Sequence, residues 1–394
     1  MKLLMLSNYF TPDFSAGSFR MQGLIDALEF YRSEGLSIDL ITTMPNRYAT
    51  AKANALSYED RGWLRIHRIT LPAHQNGMLD QAIAYFSYVN AVRKLTKNQQ
   101  WDLVFATSSR LMTAALGAYV SRRVGAPLYL DIRDLFTLNM GEFLRQSPAK
   151  TLLPIFRLIE KRSFRHAARL NVVSEGFVSY IRSTAPDAEV RCFTNGIDNI
   201  FLSENFARDD ARDVLPLILY AGNIGDGQGL HHIVPDVAKK LEGRVRLRVI
   251  GDGSKRHALK KAIDLSEVDN VELLLPVARE ELIEHYREAN ILFLHLNELE
   301  AFQKVLPSKI FEYAATGRPI VAGVSGYAED FLGTHLCDVE VFKPLDINAM
   351  VIAVSRLIDT EKSIERQTFC DTFSRRNIME SMASDIMSAN TEPL

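Results

Sequence analysis

The sequence predicts an α/β protein with two doubly wound domains, each built on a parallel sheet. Three observations lead to this prediction. The chain has 394 residues, too many for one ordinary core and about right for two domains of common size. Short apolar runs alternate with longer helical segments, a pattern typical of βαβ units. This alternating series occurs twice, on either side of a polar, turn-rich stretch.

The predicted strands are five apolar runs in each half of the chain. Those of the first half read KLLMLS, SIDLIT, WDLVFAT, PLYLDI and RLNVVS. Those of the second half read LILYAGN, VRLRVIGDG, VELLLP, ILFLHL and PIVAG. Because strands that are joined by helical crossovers lie parallel, each series predicts one parallel sheet.

Residues 195–215 separate the two series. The sequence TNGIDNIFLSENFARDDARDVLP combines turn residues and charges with weak periodicity, which is the composition of a linker. We therefore predict a first domain over residues 1–200 and a second over 201–372. The last segment, 373–394, contains the helical pattern SRRNIMESMASDIM, and we expect a helix that can pack back on the first domain.

Composition favours a globular protein of a reducing compartment. Hydrophobic residues make up 47% of the chain and charged residues 24%. The three scattered cysteines, Cys192, Cys337 and Cys370, form no CxxC pair, which argues against a disulfide framework or a structural zinc site. The N-terminal MKLLMLSNYF predicts a strand rather than a signal peptide, and no run approaches the ~18 apolar residues that span a bilayer. These features predict a cytoplasmic protein.

Charge is distributed unequally between the two halves. Residues 1–200 carry a balance of +7 and the remaining residues a balance of −9, although the net charge of the whole chain is only −2. Such asymmetry indicates a basic half that faces an anionic surface or ligand. Ordinary scattered surface charge is an equal alternative.

In open α/β sheets, ligands bind at the loops that follow the strands. In the first half, Gly17 and Ser18 open a helical pattern after the first strand; this can seat an anion, but an ordinary turn is the commoner case. Asp131, Arg133 and Asp134 cluster at the end of the run PLYLDI. They are candidates for acceptor binding or for a general base, and a structural ion pair is an equal alternative.

Four glycines crowd the first strand-to-helix turn of the second half, at Gly222, Gly225, Gly227 and Gly229. The turn is neither a Walker A loop nor the GxGxxG fingerprint of dinucleotide binding, which argues against an NAD-linked dehydrogenase. Glycines still let backbone amides approach a phosphate closely, so we predict a phosphate-binding loop here.

Two later loops add weaker candidates. After VRLRVI, the sequence GDGSKR offers a tight turn at Gly251 and a cation at Arg256, which is either a phosphate clamp or a solvated helix charge. After VELLL, Pro276 and Val277 offer apolar packing and backbone polar groups that could contact a flat base.

The strongest candidate follows the run ILFLHL. In KVLPSKIFEY, Pro307 suits the start of a helix, so the amides of Ser308 and Lys309 would point out of the helix start, where a diphosphate is favoured. Glu312 lies one turn further on and presents two acceptor oxygens to the vicinal diol of a ribose. One nucleotide would account for all three polar residues, whereas the alternative is a solvated helix face.

These loops, in this order, resemble the GT-B glycosyltransferases of glycosyltransferase family 4, closest to the bacterial O-antigen and exopolysaccharide transferases. The resemblance extends over nearly the whole chain and rests on NYFTPDFSAG, DIRDLF, VVSEGF, TNGID, YAGNIGDGQGL, VIGDGSKRHAL and LPSKIFEYAATGRPIVAG. It implies two Rossmann-like domains that face a cleft, with the nucleotide diphosphate sugar (UDP by family habit) in the second and the acceptor in the first. It also implies retention of the anomeric configuration, with no metal ion and no cofactor.

The loops and the resemblance together give the expected site residues. The donor side comprises Gly222, Asn223, Gly225, Gln228, Gly251, Arg256, Pro276, Val277, Lys304, Leu306, Pro307, Ser308, Lys309 and Glu312. The acceptor side comprises Gly17, Ser18, Asp131 and Arg133, and the catalytic set comprises Glu312, Lys309 and Asp134.

The sequence departs from the family pattern at one acidic position. The family often shows two glutamates in an E-x7-E spacing, but the residue eight positions before Glu312 is Lys304. That position normally helps to orient the donor sugar, so Glu298 or Glu300 would have to substitute for it from a shifted loop.

The glycine loop departs from the pattern as well. It carries Asn223 and Gln228 where Arg and Lys are common in the family. A diphosphate still needs cationic partners, and the nearest candidates in motif context are Arg256, Lys304 and Lys309.

Residues 143–170, FLRQSPAKTLLPIFRLIEKRSFRHAARL, form a basic segment with interleaved apolar residues. Its seven Lys and Arg residues stand against a single acid, Glu160. Such a helix can lie on an anionic leaflet, here the inner face of the plasma membrane. A core-facing helix with a charged outer side is an equal alternative.

The resulting interpretation is a retaining glycosyltransferase of bacterial surface polysaccharide synthesis, with a saccharide or lipid-pyrophosphate-linked acceptor and no nucleic acid partner. One alternative is a nucleotide-sugar epimerase on a similar fold. It would need an acid/base constellation, and no convincing pair occurs among His67, His74, His231, His232 and His295. A second alternative is a non-catalytic protein that binds a sugar or a lipid.

Overall fold

The computed structural model describes residues 1–13, 15–45, 55–72, 78–108, 111–143, 148–206, 215–358 and 366–389. The chain divides into two compact units. Unit 1 comprises Met1–Asn195 and Arg375–Leu394, and unit 2 comprises Gly196–Ser374. The domain limits predicted from the sequence were 200 and 372, and part of the predicted linker, 207–214, lies outside the described residues.

The strands follow the chain in this order: β1 (Lys2–Leu6), β2 (Ser37–Thr43), β3 (Tyr58–Asp60), β4 (Leu64–Ile69), β5 (Leu103–Ser108), β6 (Leu128–Ile132), β7 (Arg169–Val172), β8 (Glu189–Cys192), β9 (Leu217–Ala221), β10 (Arg246–Ile250), β11 (Val271–Leu274), β12 (Ile291–His295), β13 (Ile320–Gly323) and β14 (Val339–Phe342). Each of the ten predicted runs contains a strand, and the structure adds β3, β4, β8 and β14.

The helices are α1 (Ala16–Leu28), α2 (Met78–Leu95), α3 (Leu111–Val124), α4 (Phe136–Phe143), α5 (Leu153–His166), α6 (Val178–Thr184), α7 (Asn199–Leu202), α8 (Val234–Lys240), α9 (Arg256–Ser266), α10 (Arg279–Glu288), α11 (Lys309–Ala315), α12 (Tyr327–His335), α13 (Ile347–Ile358), α14 (Gln367–Thr372) and α15 (Arg375–Ser388). Within the described ranges, no helix is both long and apolar enough to traverse a bilayer.

The described strands of unit 1 form one sheet in the order β3-β4-β2-β1-β5-β6-β7-β8. Its pairings are parallel apart from the antiparallel β3 and β4 at one edge. The central strands β1, β5 and β6 are almost wholly buried, as expected for a sheet covered by helices on both faces. The strand order reverses between β1 and β5, which makes this edge a topological switch point.

Helix α15, from the end of the chain, completes the core of unit 1. Its apolar side packs against α1 and the sheet in one cluster that includes Met21, Leu24, Ile25, Phe105, Tyr129, Met379, Met382, Ala383 and Ile386. The hydroxyl of Tyr129 donates to Asp385 over 2.8 Å, and Arg169 pairs with the same carboxylate at 2.9 Å. Buried apolar contact and a satisfied polar network therefore both bind this helix to unit 1.

Unit 2 carries a parallel sheet in the order β11-β10-β9-β12-β13-β14. Apolar clusters cover both of its faces, one around Leu219, Leu292 and Phe311 and the other around Ile218 and Phe293. The order reverses between β9 and β12. The loops that follow these two strands therefore flank the crevice in which doubly wound sheets bind ligands.

Candidate functional site

Two of the segments predicted for the donor, the glycine loop and the start of α11, follow β9 and β12. The glycine loop, residues 222–229, follows β9 and packs against the loop after β10 through backbone hydrogen bonds. Gly222 N donates to Ile250 O, Ile224 N donates to Asp252 O, and Lys255 N donates to Ile224 O, each over 2.9 Å. The loops after β9 and β10 are thus joined directly by backbone hydrogen bonds.

This backbone packing requires glycine in the loop after β10. A Cβ on Gly251 would lie 1.9 Å from Gly222 O, and a Cβ on Gly253 would lie 2.5 Å from Ile224 O. Real Cβ atoms essentially never come closer than 3.0 Å to another heavy atom. The sequence predicts Gly251 as a turn glycine. In the structure, glycine is required there because the two loops approach each other closely.

The amide side chains of Asn223 and Gln228 in the glycine loop bond to each other. Asn223 Nδ2 donates to Gln228 Oε1 over 2.8 Å, and Gly225 N donates to the same oxygen over 3.2 Å. Tyr220, the penultimate residue of β9, donates its hydroxyl to Asn223 O over 2.6 Å. These bonds fix the shape of the loop but supply no positive charge.

Lys255, the neighbour of the predicted Arg256, places its ammonium against the glycine loop. Lys255 Nζ lies 2.9 Å from the carboxylate of Asp226 within the loop. Arg256 begins α9, is half-buried, and has an Nε without a hydrogen-bond partner among the described residues. The sequence GDGSKR offered both cations, and only the packing of the loop distinguishes them.

Helix α11 starts where the sequence predicted, just after Pro307. Ser308 is its N-cap residue and Lys309 its first helical residue. Ile310 N donates to Pro307 O and Phe311 N donates to Ser308 O, over 3.1 and 3.2 Å. The amides of Ser308 and Lys309 precede these bonds, so they belong to the group of first-turn amides that a helix leaves without an internal acceptor.

Glu312 is held by two neighbours on the same oxygen. Lys309 Nζ lies 2.7 Å from Glu312 Oε2, and the hydroxyl of Tyr286 donates to Oε2 over 3.2 Å. The Lys309 ammonium is also 3.4 Å from the Tyr286 hydroxyl oxygen. The side chains of Lys309 and Glu312 are 27% and 14% exposed, so the group is accessible but oriented. From the sequence we expected Lys309 to bind the diphosphate, whereas in the structure it pairs with the carboxylate of Glu312.

Tyr286 is not among the residues that the sequence predicts for the site. It lies on the buried face of α10, with its ring 5.8 Å from that of Phe201 and 5.7 Å from that of Tyr313. Burial, reinforced by the negative charge of Glu312, raises the pKa of Tyr286 well above its usual value, so its hydroxyl stays neutral and donates. A signal was present, because Tyr286 follows Ile283 at helical spacing and carries a polar tip.

Tyr313 bonds α11 to the last residue of β9, immediately before the glycine loop. Ala221, the last residue of β9, donates its amide to the Tyr313 hydroxyl oxygen over 3.2 Å, and the same hydroxyl is 3.5 Å from Ala221 O. A Cβ on Gly227 would lie 2.9 Å from the ring of Phe302, so the segment that leads into α11 also lies against the loop. Lys304 follows Phe302 in the same single helical turn.

The other predicted donor residues take different places. Leu306 is 2% exposed and packs in the core beneath α11. Pro276 and Val277 lie beyond β11, at the edge of the sheet, with Pro276 exposed and Val277 packed on the core. Glu298 and Glu300, considered as substitutes for the missing glutamate, are exposed. His74 and Arg145 lie outside the described residues.

In unit 1, the loop after β6 meets the start of α1. Ser15 caps this helix and accepts from Ser18 N over 3.1 Å. A Cβ on Gly17 would lie 2.2 Å from Arg133 Nη1, so the guanidinium lies directly over the first turn. Ser18 is fully buried, and its Oγ has no hydrogen-bond partner within the described part of the chain. The structure thus brings Gly17, Ser18 and Arg133 together.

Asp131 forms the structural ion pair that the sequence left as an alternative. Its carboxylate is fully buried and receives two bonds from Arg20, at 3.0 and 3.1 Å. Thr107 and Asn171 donate to the same carboxylate. Burial opposes ionisation, but the charge and hydrogen bonds of Arg20 outweigh it, so the pKa of Asp131 lies below its usual value. In this arrangement an acceptor cannot reach Asp131, whereas Asp134 is exposed.

Two doubly wound units, with a glycine loop and an acid-bearing helix at the switch point of the second, define a GT-B glycosyltransferase. The chain belongs to the glycosyltransferases of this class on the basis of two family matches. Residues 21–196 match the family described as "Glycosyl transferase 4-like domain". Residues 215–360 match the family described as "Glycosyl transferases group 1".

Comparison with individual proteins gives distant similarity. The chain is 23% identical over 185 residues to WcaI of Escherichia coli (strain K12), which carries a provisional assignment as a colanic acid biosynthesis glycosyl transferase. That match spans 45% of this chain and 44% of WcaI, less than half of either protein.

Among solved structures, sucrose-phosphate synthase from Thermosynechococcus elongatus superposes with a TM-score of 0.75 at 16% identity, over 98% of each chain. HepE of Anabaena, in complex with UDP-glucose, superposes with a TM-score of 0.69 at 16% identity, over 98% of this chain and 100% of HepE. At these identities the superpositions show a shared fold.

Proposed function

We propose that the chain transfers a sugar from a UDP-sugar to a saccharide or lipid-linked saccharide of a bacterial surface polysaccharide, with retention of configuration. The observation that carries this proposal is the junction of the glycine loop with α11 at the end of β9, made through Tyr313 and Ala221. UDP-glucose in HepE supports the choice of nucleotide. The assignment of WcaI to colanic acid biosynthesis supports the class of product.

The donor would be bound through two groups of its nucleotide, the diphosphate and the ribose. Amides of the glycine loop and of Ser308 and Lys309 would receive the diphosphate, because free amides at turns and helix starts favour anions. Glu312 would accept two hydrogen bonds from the ribose diol. Its position is set beforehand by Lys309 and Tyr286, so little ordering remains to be done when the nucleotide binds.

The chemistry would depend on stabilising the departing nucleotide diphosphate. Fixed amide dipoles and the cations Lys255 and Lys309 near the two loops would meet the charge that develops on the leaving group. In the proposed retaining transfer, a phosphate oxygen of the donor takes the proton of the attacking hydroxyl. No side chain is then required as a nucleophile.

The acceptor is proposed to contact unit 1 where Arg133 covers the first turn of α1. A guanidinium over the start of a helix favours an anionic group, and the pyrophosphate of a lipid-linked saccharide has that character. Asp134 is exposed in the same loop and is proposed to contact the acceptor hydroxyl. Asp131 has no part in this proposal because it is buried in its pair with Arg20.

Binding of the nucleotide tests the donor site first. The melting temperature would be measured with UDP, GDP, ADP, CDP and dTDP. Ligand at about 100 times its Kd stabilises a protein by ~2.7 kcal/mol, so UDP should raise the melting temperature by several degrees. A chain that melts at the same temperature with every nucleotide would contradict the proposal.

The product tests the reaction. With a UDP-sugar and lipid-linked saccharides extracted from bacterial membranes, UDP release should depend on the acceptor. Proton NMR of the product should show the anomeric configuration of the donor, and a chelator should leave the rate unchanged. An inverted anomer would reject retention, and loss of activity with chelator would reject metal independence.

The epimerase alternative is weaker in the structure. It needs a histidine or carboxylate free to exchange protons near the sugar, but His295 has both ring nitrogens within hydrogen-bond distance of the backbone, one of Gln228 O and one of Leu345 N. Incubation of the protein with UDP-sugar alone separates the two functions. A change of the sugar without any acceptor would favour the epimerase.

We further propose that α5 rests on an anionic membrane surface. Leu152 just before it and Ile155 and Leu158 on it are 44%, 55% and 47% exposed. Arg162 and Arg165 continue the outer face at helical spacing from Ile155 and Leu158, and both are exposed. Apolar residues flanked by cations form the type of face that inserts at a lipid headgroup boundary.

The positive charge of this face is not offset by the one acid of the segment. Glu160 is 2% exposed and accepts hydrogen bonds from the hydroxyls of Thr137 and Tyr180. One predicted cation is also absent from the surface, because Arg169 lies in β7 and is 3% exposed in its pair with Glu189. The surface is therefore smaller than the predicted span 143–170.

Co-sedimentation with vesicles of phosphatidylglycerol and phosphatidylcholine tests this proposal. Each cation near an anionic surface contributes about 1 kcal/mol, so R162E/R165E should weaken binding at least tenfold at low salt. The matched control is K239E/K240E, which reverses two exposed cations at the end of α8 in unit 2. No sedimentation of the wild type at low salt would reject membrane contact.

A further inference from the structure

Three successive carbonyls of the glycine loop are held by the end of β12. Asn297 Nδ2 donates to Asp226 O over 3.2 Å, and Asn297 N donates to Gly227 O over 2.7 Å. The next carbonyl, Gln228 O, lies 2.6 Å from His295 Nδ1. Because the carbonyl and N–H of one trans peptide point in opposite directions, these bonds turn the N–H groups of Gly227, Gln228 and Gly229 away from β12. The N–H groups of Gln228 and Gly229 bond within the loop to Gly225 O, over 3.2 and 3.3 Å, and the Gly227 N–H has no acceptor among the described residues.

The hydrogen bonds of His295 define its tautomer. Leu345 N lies 3.1 Å from Nε2, and a backbone N–H can only donate, so Nε2 is the acceptor. The single proton of the neutral ring is therefore on Nδ1, which donates it to Gln228 O. His295 is fully buried, and burial lowers its pKa to about 4, which keeps the ring neutral near pH 7.

The imidazole ring of His295 is closely enclosed by Gly323 on one side and by Leu345 on the other. A Cβ on Gly323, at the end of β13, would lie 2.3 Å from His295 Cδ2, so only glycine leaves room there. On the other side, Leu345 has φ of +65°, a conformation that non-glycine residues rarely adopt, and its amide is the one that bonds to Nε2. The ring thus links the glycine loop to the segment after β14.

We propose that His295 is a positioning residue for donor binding. Through its Nδ1–H it fixes the glycine loop in the conformation that leaves the Gly227 N–H for the donor diphosphate, while Leu345 fixes the tautomer. His295 itself contacts no donor atom in this account. The inference rests on the proposed function, because it assigns the glycine loop to the diphosphate.

Two substitutions separate the two hydrogen bonds of the ring. His295→Asn places an amide N–H where Nδ1 stood and keeps a donor for Gln228 O. His295→Leu removes both bonds at similar volume. The control is Val354→Ala, which leaves a cavity in the apolar cluster around Ile218 and Phe293 and removes none of the hydrogen bonds of the loop.

The experiment measures Kd by calorimetry for the nucleoside diphosphate that most stabilises the wild type, and for its nucleoside without phosphate. In H295L the Kd of the diphosphate should rise about tenfold or more, because charge-assisted bonds to phosphate are lost, and the Kd of the nucleoside should stay unchanged. In H295N the Kd of the diphosphate should stay within about threefold of the wild type. V354A should lower the melting temperature with neither Kd changed. Nitrogen-15 NMR of the wild type should show a protonated Nδ1 and a bare Nε2.

Three results would overturn the inference. The first is H295L with a diphosphate Kd within about threefold of the wild type. The second is an equal loss for nucleoside and diphosphate, which would reduce His295 to a core residue. The third is a protonated Nε2. A wild type that binds no nucleoside diphosphate would instead refute the proposed function, and the inference would fall with it.

Discussion

Replacing Glu312 by alanine should abolish donor binding while the protein stays folded. The substitution removes a partly exposed ion pair with Lys309, worth ~0.5 kcal/mol, and leaves the buried Tyr286 hydroxyl without its acceptor, which costs ~1–3 kcal/mol. The sum is smaller than the ~5–15 kcal/mol that stabilises a typical protein. Unit 2 should therefore remain folded with a lower melting temperature.

The loss of binding should be larger than the loss of stability. Two charged hydrogen bonds to a ribose diol contribute ~1.5–3 kcal/mol each, so their removal should weaken UDP binding at least ~100-fold. Calorimetry with UDP measures this change, and Glu312→Gln should give an intermediate Kd because it keeps the shape but not the charge.

Glu329→Ala is the matched control, since Glu329 is an exposed acid in the first turn of α12. It should bind UDP as the wild type does. The reasoning is refuted if folded E312A binds UDP within about threefold of the wild type.

Three further predictions follow from the same contacts. Tyr286→Phe removes one neutral donor and should raise the Kd for UDP about three- to tenfold, and an unchanged Kd in calorimetry would show that this hydroxyl does not orient the carboxylate. Gly251→Ala should lose UDP binding because its Cβ has no room, whereas Gly333→Ala in α12, where nothing lies within 4 Å, should bind normally. Asp131→Asn should destabilise the protein by ~3–5 kcal/mol at pH 7 by leaving Arg20 buried without a counter-ion. Because the folded pKa of Asp131 is lowered, the wild type has this stability above pH ~3.8 and loses it as pH falls through the folded pKa, so denaturant titrations of the two proteins should converge in acid.

Much of the fold could be predicted from the sequence because buried parallel strands are continuous apolar runs. All ten such runs contain strands, and both sheets are doubly wound. The strands that were missed are short or carry charges. In β4, LRIHRI alternates buried and half-buried residues, and β3 reads YED. β3 lies at the edge of the sheet and β4 lies beside it, and a strand that is buried on one face only has a weaker hydrophobic signal.

The site was predicted less completely, and the reason is tertiary. Local residue types predict the glycine loop and α11, so Gly222 and Glu312 could be identified as site candidates from the sequence. Tyr286 and His295 act through bonds to distant segments, over separations of 26 and 67 residues. Helical spacing indicates that Tyr286 is buried, but local pattern does not identify the partner of a buried tyrosine or histidine, which resembles any other core residue until that partner is known.

The same limit explains Asp131 and Arg20. The cluster of charges in DIRDLF suggested either a site or an ion pair, and the arginine that decides between them stands 111 residues earlier. An acid at a strand end becomes structural when a buried cation reaches it and becomes a ligand when none does. Only the folded chain holds that information.

The return of α15 to unit 1 has a consequence for the order in which the protein matures. The first 195 residues emerge from the ribosome long before the helix that covers Met21, Leu24 and Tyr129 is synthesised. Until α15 has been made, that apolar side of α1 stays open to chaperones, while unit 2, whose residues are all in one stretch, can already be folded. A stop codon before Arg375 would thus destabilise unit 1, although most of that unit is encoded earlier in the chain.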